Sequence, residues 1–325
     1  MNIFQQYLVE EFAEDYQEGR LSRREALKLI ASVTGGVLLA NTILAGCTPP
    51  EATLIAATTN TTSSGAPPEA TVTSAATETP VENPTEPAPT EAAPSGAIEG
   101  QDIQFPGEDA TLTGYLARPA GDGPFPVVLV CHENRGLTEH IKDVTRRLAQ
   151  AGYVALAVDL LSRQGGTSAF ASDEVPGTLG NISPDQFVAD FRSGWEYLKT
   201  LPFAQADRVG MVGFCFGGGV TWLMATRMPE LRAAVPFYGP HPPVEDVPNI
   251  QAAVLGIYAG NDQRINQGIP PIEEAMAQNG KIYEKVIYPG TDHAFHNDTG
   301  SRYNPEAATD AWRRTLEWFE RYVRS

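Results

Sequence analysis

Residues 98–325 predict an α/β fold with a mostly parallel central sheet flanked by helices. Three observations carry this. Short apolar runs alternate with stretches of helical spacing, as in parallel sheets covered on both faces. The runs are apolar at consecutive positions, which suits strands buried on both sides. The chemically reactive residue types fall just after the runs, where open α/β sheets place their sites.

The elements follow in order. Residues 102–118 read as a β-hairpin, with Ile103-Gln104-Phe105, a Gly107-Glu108-Asp109 turn and Leu112–Leu116. Pro126–Cys131 is a continuous apolar strand. Residues 138–151 carry Ile141, Val144, Leu148 and Ala149 on one helical face. Tyr153–Leu161 is strand-like. Ser183–Leu201 is a helix with Ser183 as its N-cap and Pro184 as its first residue. Val209–Phe214 is a strand and Gly217–Met228 a helix. Ala233–Phe237, Ala252–Ala259 and Tyr283–Tyr288 are three more strands, with Ile272–Ala277 inside an intervening helix. Pro305–Val323 closes the chain as a helix.

Two segments precede this domain. Ser22–Lys28 is basic, with paired Arg23-Arg24, and an uncharged apolar run from Leu29 to Ala45 leads to Leu44-Ala45-Gly46-Cys47. A basic region, an apolar stretch and small residues are the parts of a secretory signal. The arginine pair resembles a twin-arginine signal, although Ala26 stands where phenylalanine is common. Leu44–Cys47 resembles a bacterial lipobox, which implies cleavage before Cys47 and its lipidation. Residues 1–47 are therefore expected to be an export signal, placing the domain outside the cytoplasm and tethered to the outer face of the cell membrane. The rival readings are an uncleaved transmembrane anchor and an N-terminal helix packed on the domain. Residues 48–97 are rich in Pro, Thr, Ala, Ser and Glu, with nine prolines between Pro49 and Pro94. Such a composition buries too little apolar area to offset its ordering entropy, so a disordered linker or stalk is expected.

The formal net charge of -17 argues against a nucleic-acid partner. The three cysteines, Cys47, Cys131 and Cys215, are too few for a disulfide framework, and no His/Cys pattern has structural zinc spacing. Neither a metal nor an organic cofactor is expected.

The segment Gly213-Phe214-Cys215-Phe216-Gly217 has the form of a nucleophile elbow, Gly-x-Ser-x-Gly, with Cys215 in the serine position. The turn from strand to helix is tight enough that only small residues fit two places before and after the nucleophile. The helix N-terminus then points its free amides at the sulfur, favouring a thiolate and a developing oxyanion. A buried inert cysteine is the bland reading. Asp262 follows strand 252–259, and His293 follows strand 283–288, in the order nucleophile, acid, histidine that the elbow fold requires. His293 can shuttle the thiol proton and Asp262 can fix its tautomer. Asp292 and His296 are the competing acid and base. After strand 126–131 come His132-Glu133-Asn134-Arg135-Gly136, from which the amide of Asn134 pairs with that of Phe216 as a candidate oxyanion hole. Glu133 either acts on the thiol or merely positions this loop.

Gly213–Gly218, with His132-Glu133, Asp262 and Asp292-His293-Ala294-Phe295, resembles the dienelactone hydrolase family over roughly residues 100–325. The resemblance implies a Cys-His-Asp triad that opens esters or lactones through an acyl-enzyme, and a Glu133 that deprotonates the cysteine when substrate arrives. It also implies that Arg163 helps to bind a substrate carboxylate. A second such arginine would fall at Asn297, a departure that bears on the substrate. A Cys131–Cys215 bridge, which would abolish activity, is not expected. The expected partner is a small ester or lactone. The competing functions are a membrane-anchored lipoprotein that binds a ligand without turnover, and a hydrolase of larger peptide or cell-envelope substrates. Residues 162–183 could cover the site.

Overall fold

In the computed structural model, residues 1–47 and 96–325 are described; nearly all of the expected linker, 48–95, lies outside them. The eight strands are β1 (Ile98–Gly107), β2 (Ala110–Pro119), β3 (Phe125–Cys131), β4 (Val154–Val158), β5 (Ala204–Phe214), β6 (Ala233–Phe237), β7 (Ala253–Ala259) and β8 (Tyr283–Tyr288). They form one sheet in the order β1-β2-β4-β3-β5-β6-β7-β8. β1 and β2 pair antiparallel, as do β2 and β4, and every pairing from β4 through β3 to β8 is parallel. β3, β4 and β5 occupy the middle, and the Val, Leu, Ala and Met side chains of Val127–Val130, Val154–Val158 and Val209–Val212 are wholly buried, as their apolar runs require.

The N-terminal region contains α1 (Ile3–Gln17), α2 (Arg23–Thr34) and α3 (Val37–Ala45). Within the domain lie α4 (Glu139–Gln150), α5 (Val175–Gly180), α6 (Pro184–Lys199), α7 (Phe216–Arg227), α8 (Gln263–Asn266), α9 (Ile269–Gln278) and α10 (Pro305–Phe319). The expected elements are all present within a few residues. β5 begins five residues before the expected Val209, because the strand runs on through its polar end, Gln205, Asp207 and Arg208. Residues 162–183 are not a loose cover: α5 is largely buried, and Gly177 packs so tightly on Ser32 of α2 that an added Cβ would stand 2.4 Å from its Oγ.

The amino-terminal segment differs most from the expected independent leader. α1 and α2 pack on the hydrolase domain as part of one compact unit, the arrangement of the packed-helix alternative. α1 has the spacing for it: Phe4, Leu8 and Phe12 lie on one face and are buried. Burying three such side chains is worth on the order of 5–9 kcal/mol as an upper estimate, before ordering entropy is subtracted. Capping boxes at Asn2 and Ser22 close the first turns of α1 and α2. The apolar run breaks at Gly35-Gly36, where Gly35 adopts φ 73°. No helix among the described residues is long and apolar enough to cross a membrane. α3 leaves Val37, Leu38 and Leu39 exposed.

Candidate active site

Cys215 sits between β5 and α7 with φ 58° and ψ -122°, a strained conformation for a side chain with a Cβ. Two glycines make it possible. A Cβ on Gly213 would stand 2.2 Å from the carbonyl oxygen of Gly217, and one on Gly217 would stand 2.4 Å from that of His132. The Cys215 amide donates to the Phe237 carbonyl at 3.0 Å, which fixes the turn against β6. The next amide, that of Phe216, is the first of α7 and has no helical carbonyl four residues back.

His293 and Asp262 converge on the elbow from the ends of β8 and β7. His293 Nδ1 lies 2.6 Å from Asp262 Oδ2, and both side chains are almost fully buried. Asp262 also caps α8, accepting from the Ile265 amide at 3.2 Å, so both its oxygens are held. Burial alone would push His293 down. The Asp262 carboxylate and the Cys215 sulfur outweigh it and lift the imidazole to about 10. Burial likewise works against the Asp262 carboxylate, and the facing imidazole holds it below the ordinary value. The rivals stand elsewhere. Asp292 accepts from Asn261 Nδ2 at 2.8 Å on the exposed side of the loop. His296 is stacked on Phe214, with centroids 5.0 Å apart, and burial drops it to about 3.

The loop after β3 is held by His132. Its Nδ1 donates to the Glu133 carbonyl at 2.7 Å and its Nε2 accepts from the Leu160 amide at 3.2 Å. Burial keeps the ring neutral, consistent with that tautomer. Glu133 and Asn134 line a cavity of about 200 Å³ with Cys215, Asn297 and Arg302. Burial raises the Glu133 carboxyl, and Asn297 Nδ2 donates to its Oε2 at 2.6 Å. Asn297, at the position of the absent second arginine, is thus a partner of Glu133.

Arg163 departs from its expected role. Its Nε and Nη2 donate to Asp190 Oδ1 of α6 at 3.0 and 2.9 Å, and it does not line the cavity beside Cys215. A buried carboxylate requires such a partner, and this one consumes the guanidinium. Cys131 is buried and forms no disulfide with Cys215.

Sequence reasoning missed the residues that α1 brings to the site. The Tyr7 hydroxyl lies 3.1 Å from Cys215 Sγ and 3.3 Å from His293 Nε2. Both carboxylate oxygens of Glu11 lie 3.8 Å from Sγ, and Oε1 accepts from Asn134 Nδ2 at 3.2 Å. Burial works against a charged Glu11, but His293, Arg264 and Arg302 hold its carboxyl below the ordinary value. The Phe4, Leu8 and Phe12 spacing is the one signal in the sequence that could have placed α1 here. Glu11, Cys215 and His293 offer atoms within 4.8 Å of one another and form the one grouping among the described residues able to hold a metal ion.

The sheet order, the elbow and the strand-end histidine and aspartate define an α/β-hydrolase with cysteine in the nucleophile position. The family model for the dienelactone hydrolase family matches residues 112–323. A Methylorubrum extorquens protein provisionally named carboxymethylenebutenolidase is 38% identical over 241 residues, covering 70% of this chain and 82% of its own. An Escherichia coli K12 protein of the same provisional name is 35% identical over 247 residues, covering 70% and 89%. The crystal structure of a provisional dienelactone hydrolase from Klebsiella pneumoniae superimposes with a TM-score of 0.66 at 34% identity, covering 70% of this chain and all of that one. The chain belongs to the dienelactone hydrolase family.

Proposed function

We propose that this protein hydrolyses small carboxylic esters or lactones through a thioester formed on Cys215. The reading rests above all on the elbow: a cysteine at φ 58° at the start of α7, faced by a histidine held 2.6 Å from a buried aspartate. The Cys215 sulfur attacks the substrate carbonyl with its proton already on His293 Nε2, where the imidazole lifted to about 10 holds it at neutral pH. The amides of Phe216 and Asn134 receive the oxyanion. The tetrahedral intermediate collapses, the carbonyl carbon–oxygen single bond breaks, and His293 returns the proton to the leaving oxygen. Water, deprotonated by His293, then attacks the thioester; the carbon–sulfur bond breaks, the acid leaves, and the proton on His293 restores the resting Cys215–His293 pair. Asp262 keeps the Nδ1 proton in place and stabilises the imidazolium. Glu133, held by Asn297 at the cavity wall, is the second base that a bound substrate would turn toward the thiol.

With Arg163 committed to Asp190 and Asn297 to Glu133, neither carries a substrate carboxylate, which directs the reading away from dienelactone itself and toward other small esters and lactones. The test is turnover of a panel of activated esters and small lactones by the full chain, beside Cys215→Ala. Hydrolysis that vanishes in the variant, with a substrate-sized mass adduct on Cys215 in the wild type, is the expected result. Turnover that survives the substitution refutes the reading.

Export and lipidation at Cys47 form a separate proposal, supported by Arg23-Arg24, the apolar run to Ala45 and the Leu44–Cys47 motif. The exposed Val37, Leu38 and Leu39 suit a segment that leaves the domain for a membrane. Mass spectrometry of the protein from its host would show a lipid-modified amino-terminal Cys47, and an intact Met1 would refute it.

A further inference from the structure

We infer that α1 is an internal occupant of the catalytic centre, with the Tyr7 hydroxyl seated in the position of the substrate's leaving oxygen. This rests on the triad proposed above. In that reaction one oxygen must sit within hydrogen-bond reach of His293 Nε2 while still beside Cys215 Sγ: the leaving oxygen in acylation, the attacking water in deacylation. The Tyr7 oxygen fills that place, 3.3 Å from Nε2 and 3.1 Å from Sγ. Substrate oxygen and tyrosine oxygen cannot both be there.

The seat is built, not incidental. Tyr7 is 2% exposed, and the Arg264 guanidinium lies over its ring at 4.7 Å. Arg264 Nε donates to Glu14 at 3.0 Å, tying the outer turn of α1 to the start of α8, directly after Asp262. Phe4 packs on Phe216, the residue after the nucleophile, with centroids 5.0 Å apart. The second intruder is Glu11. Its two carboxylate oxygens stand 3.8 Å from Sγ and one accepts from the Asn134 side-chain Nδ2, so the carboxylate fills the space beside the sulfur that an acyl group would need. The remaining cavity, beside Glu133 and Asn134, is itself walled by Glu11, Phe12 and Asp15, so α1 closes the leaving-group side and narrows what is left. The docked chain is slowed rather than silent: each turnover waits for α1 to lift away. Cleavage before Cys47 would remove it altogether.

The test uses the full chain with Tyr7→Ala, which empties the seat, and Glu14→Ala, which cuts the tether away from the reacting atoms. Each is measured for the rate of Cys215 alkylation by iodoacetamide and for ester turnover, with circular dichroism reporting folding. Alkylation at least tenfold faster in both variants, with turnover rising alongside, is the expected result. Should Tyr7→Ala fail to fold, Glu14→Ala carries the same expectation. Alkylation unchanged or slower in the folded variants overturns the inference. A fall in turnover without faster alkylation does so too, since it would make Tyr7 a contributor to the chemistry. Faster alkylation with no ester turned over would leave the occupant standing and remove the hydrolase reading. Wild-type turnover with unchanged alkylation would do the reverse.

Discussion

Replacing Gly217 by alanine tests the elbow without touching a reacting group. The added Cβ would meet the His132 carbonyl oxygen at 2.4 Å and the Cys131 carbonyl oxygen at 2.6 Å. Both are backbone atoms of the β3 end, fixed by the parallel pairing of β3 with β5, so no side chain can swing aside. Ordinary contact needs ~3.4 Å, so α7 and the β3 loop must part by about 1 Å. Overpacking of this kind costs about 1–3 kcal/mol. The same movement carries the Phe216 amide away from the Asn134 amide, and a displacement of ~1 Å at a reacting centre can cost about 10²-fold in rate. The assay is urea unfolding together with kcat on an activated ester, with Gly96→Ala as control, since nothing lies within 4 Å of a Cβ there. Stability within ~0.5 kcal/mol of wild type, with kcat within twofold, would refute the steric account of the elbow.

Other expectations follow from the neighbouring groups. Arg163→Met leaves the Asp190 carboxylate buried and unpaired, so a loss of ~3 kcal/mol in urea unfolding is expected with KM unchanged; a raised KM at intact stability would restore Arg163 to substrate binding. Asn297→Ala removes a donor that favours the charged Glu133, so the acid limb of the pH–rate profile should move upward, and a limb that stays put would show that Glu133 is not required ionised. The His293–Asp262 pair ties stability to pH. His293 is raised from 6.5 to about 10, so its contribution is complete below 6.5 and is lost as pH rises through about 10. Asp262 is depressed below 3.8, so its contribution is complete above 3.8 and is lost as pH falls through the depressed value. The stability gap between wild type and Asp262→Asn should therefore be widest between those ordinary values and narrow toward alkaline pH; a gap that widens there would contradict the ion pair.

Much of the domain was legible because its signals are local. Pro126–Cys131 reads as a buried strand from six consecutive residues, and Gly213–Gly217 specifies a turn from five. Asp262 and His293 were found because strand ends place loops at one edge of the sheet. Contacts between distant segments were not legible. Nothing near Arg163 announces that Asp190 of α6 needs its guanidinium. Asn297 reads as a missing arginine until Glu133 is seen against it. The apolar run to Ala45 has the composition of a leader, and composition cannot tell that α1 ahead of it has a seat on the domain. That seat is assembled from β5, α7 and the loops after β7 and β8, none of which leaves a mark on residues 1–17.

The placement of Tyr7 also orders events during folding. It meets Cys215 across a separation of 208 residues and His293 across 286. α1 can find its place only after β8, far later in the chain, has joined the sheet. Loop-closure entropy grows slowly with such spans, but contacts this remote in sequence form late. A nascent or refolding chain would therefore pass through a stage in which the sheet is complete and the thiol uncovered, and a pulse of alkylating reagent during refolding would catch Cys215 there before α1 arrives.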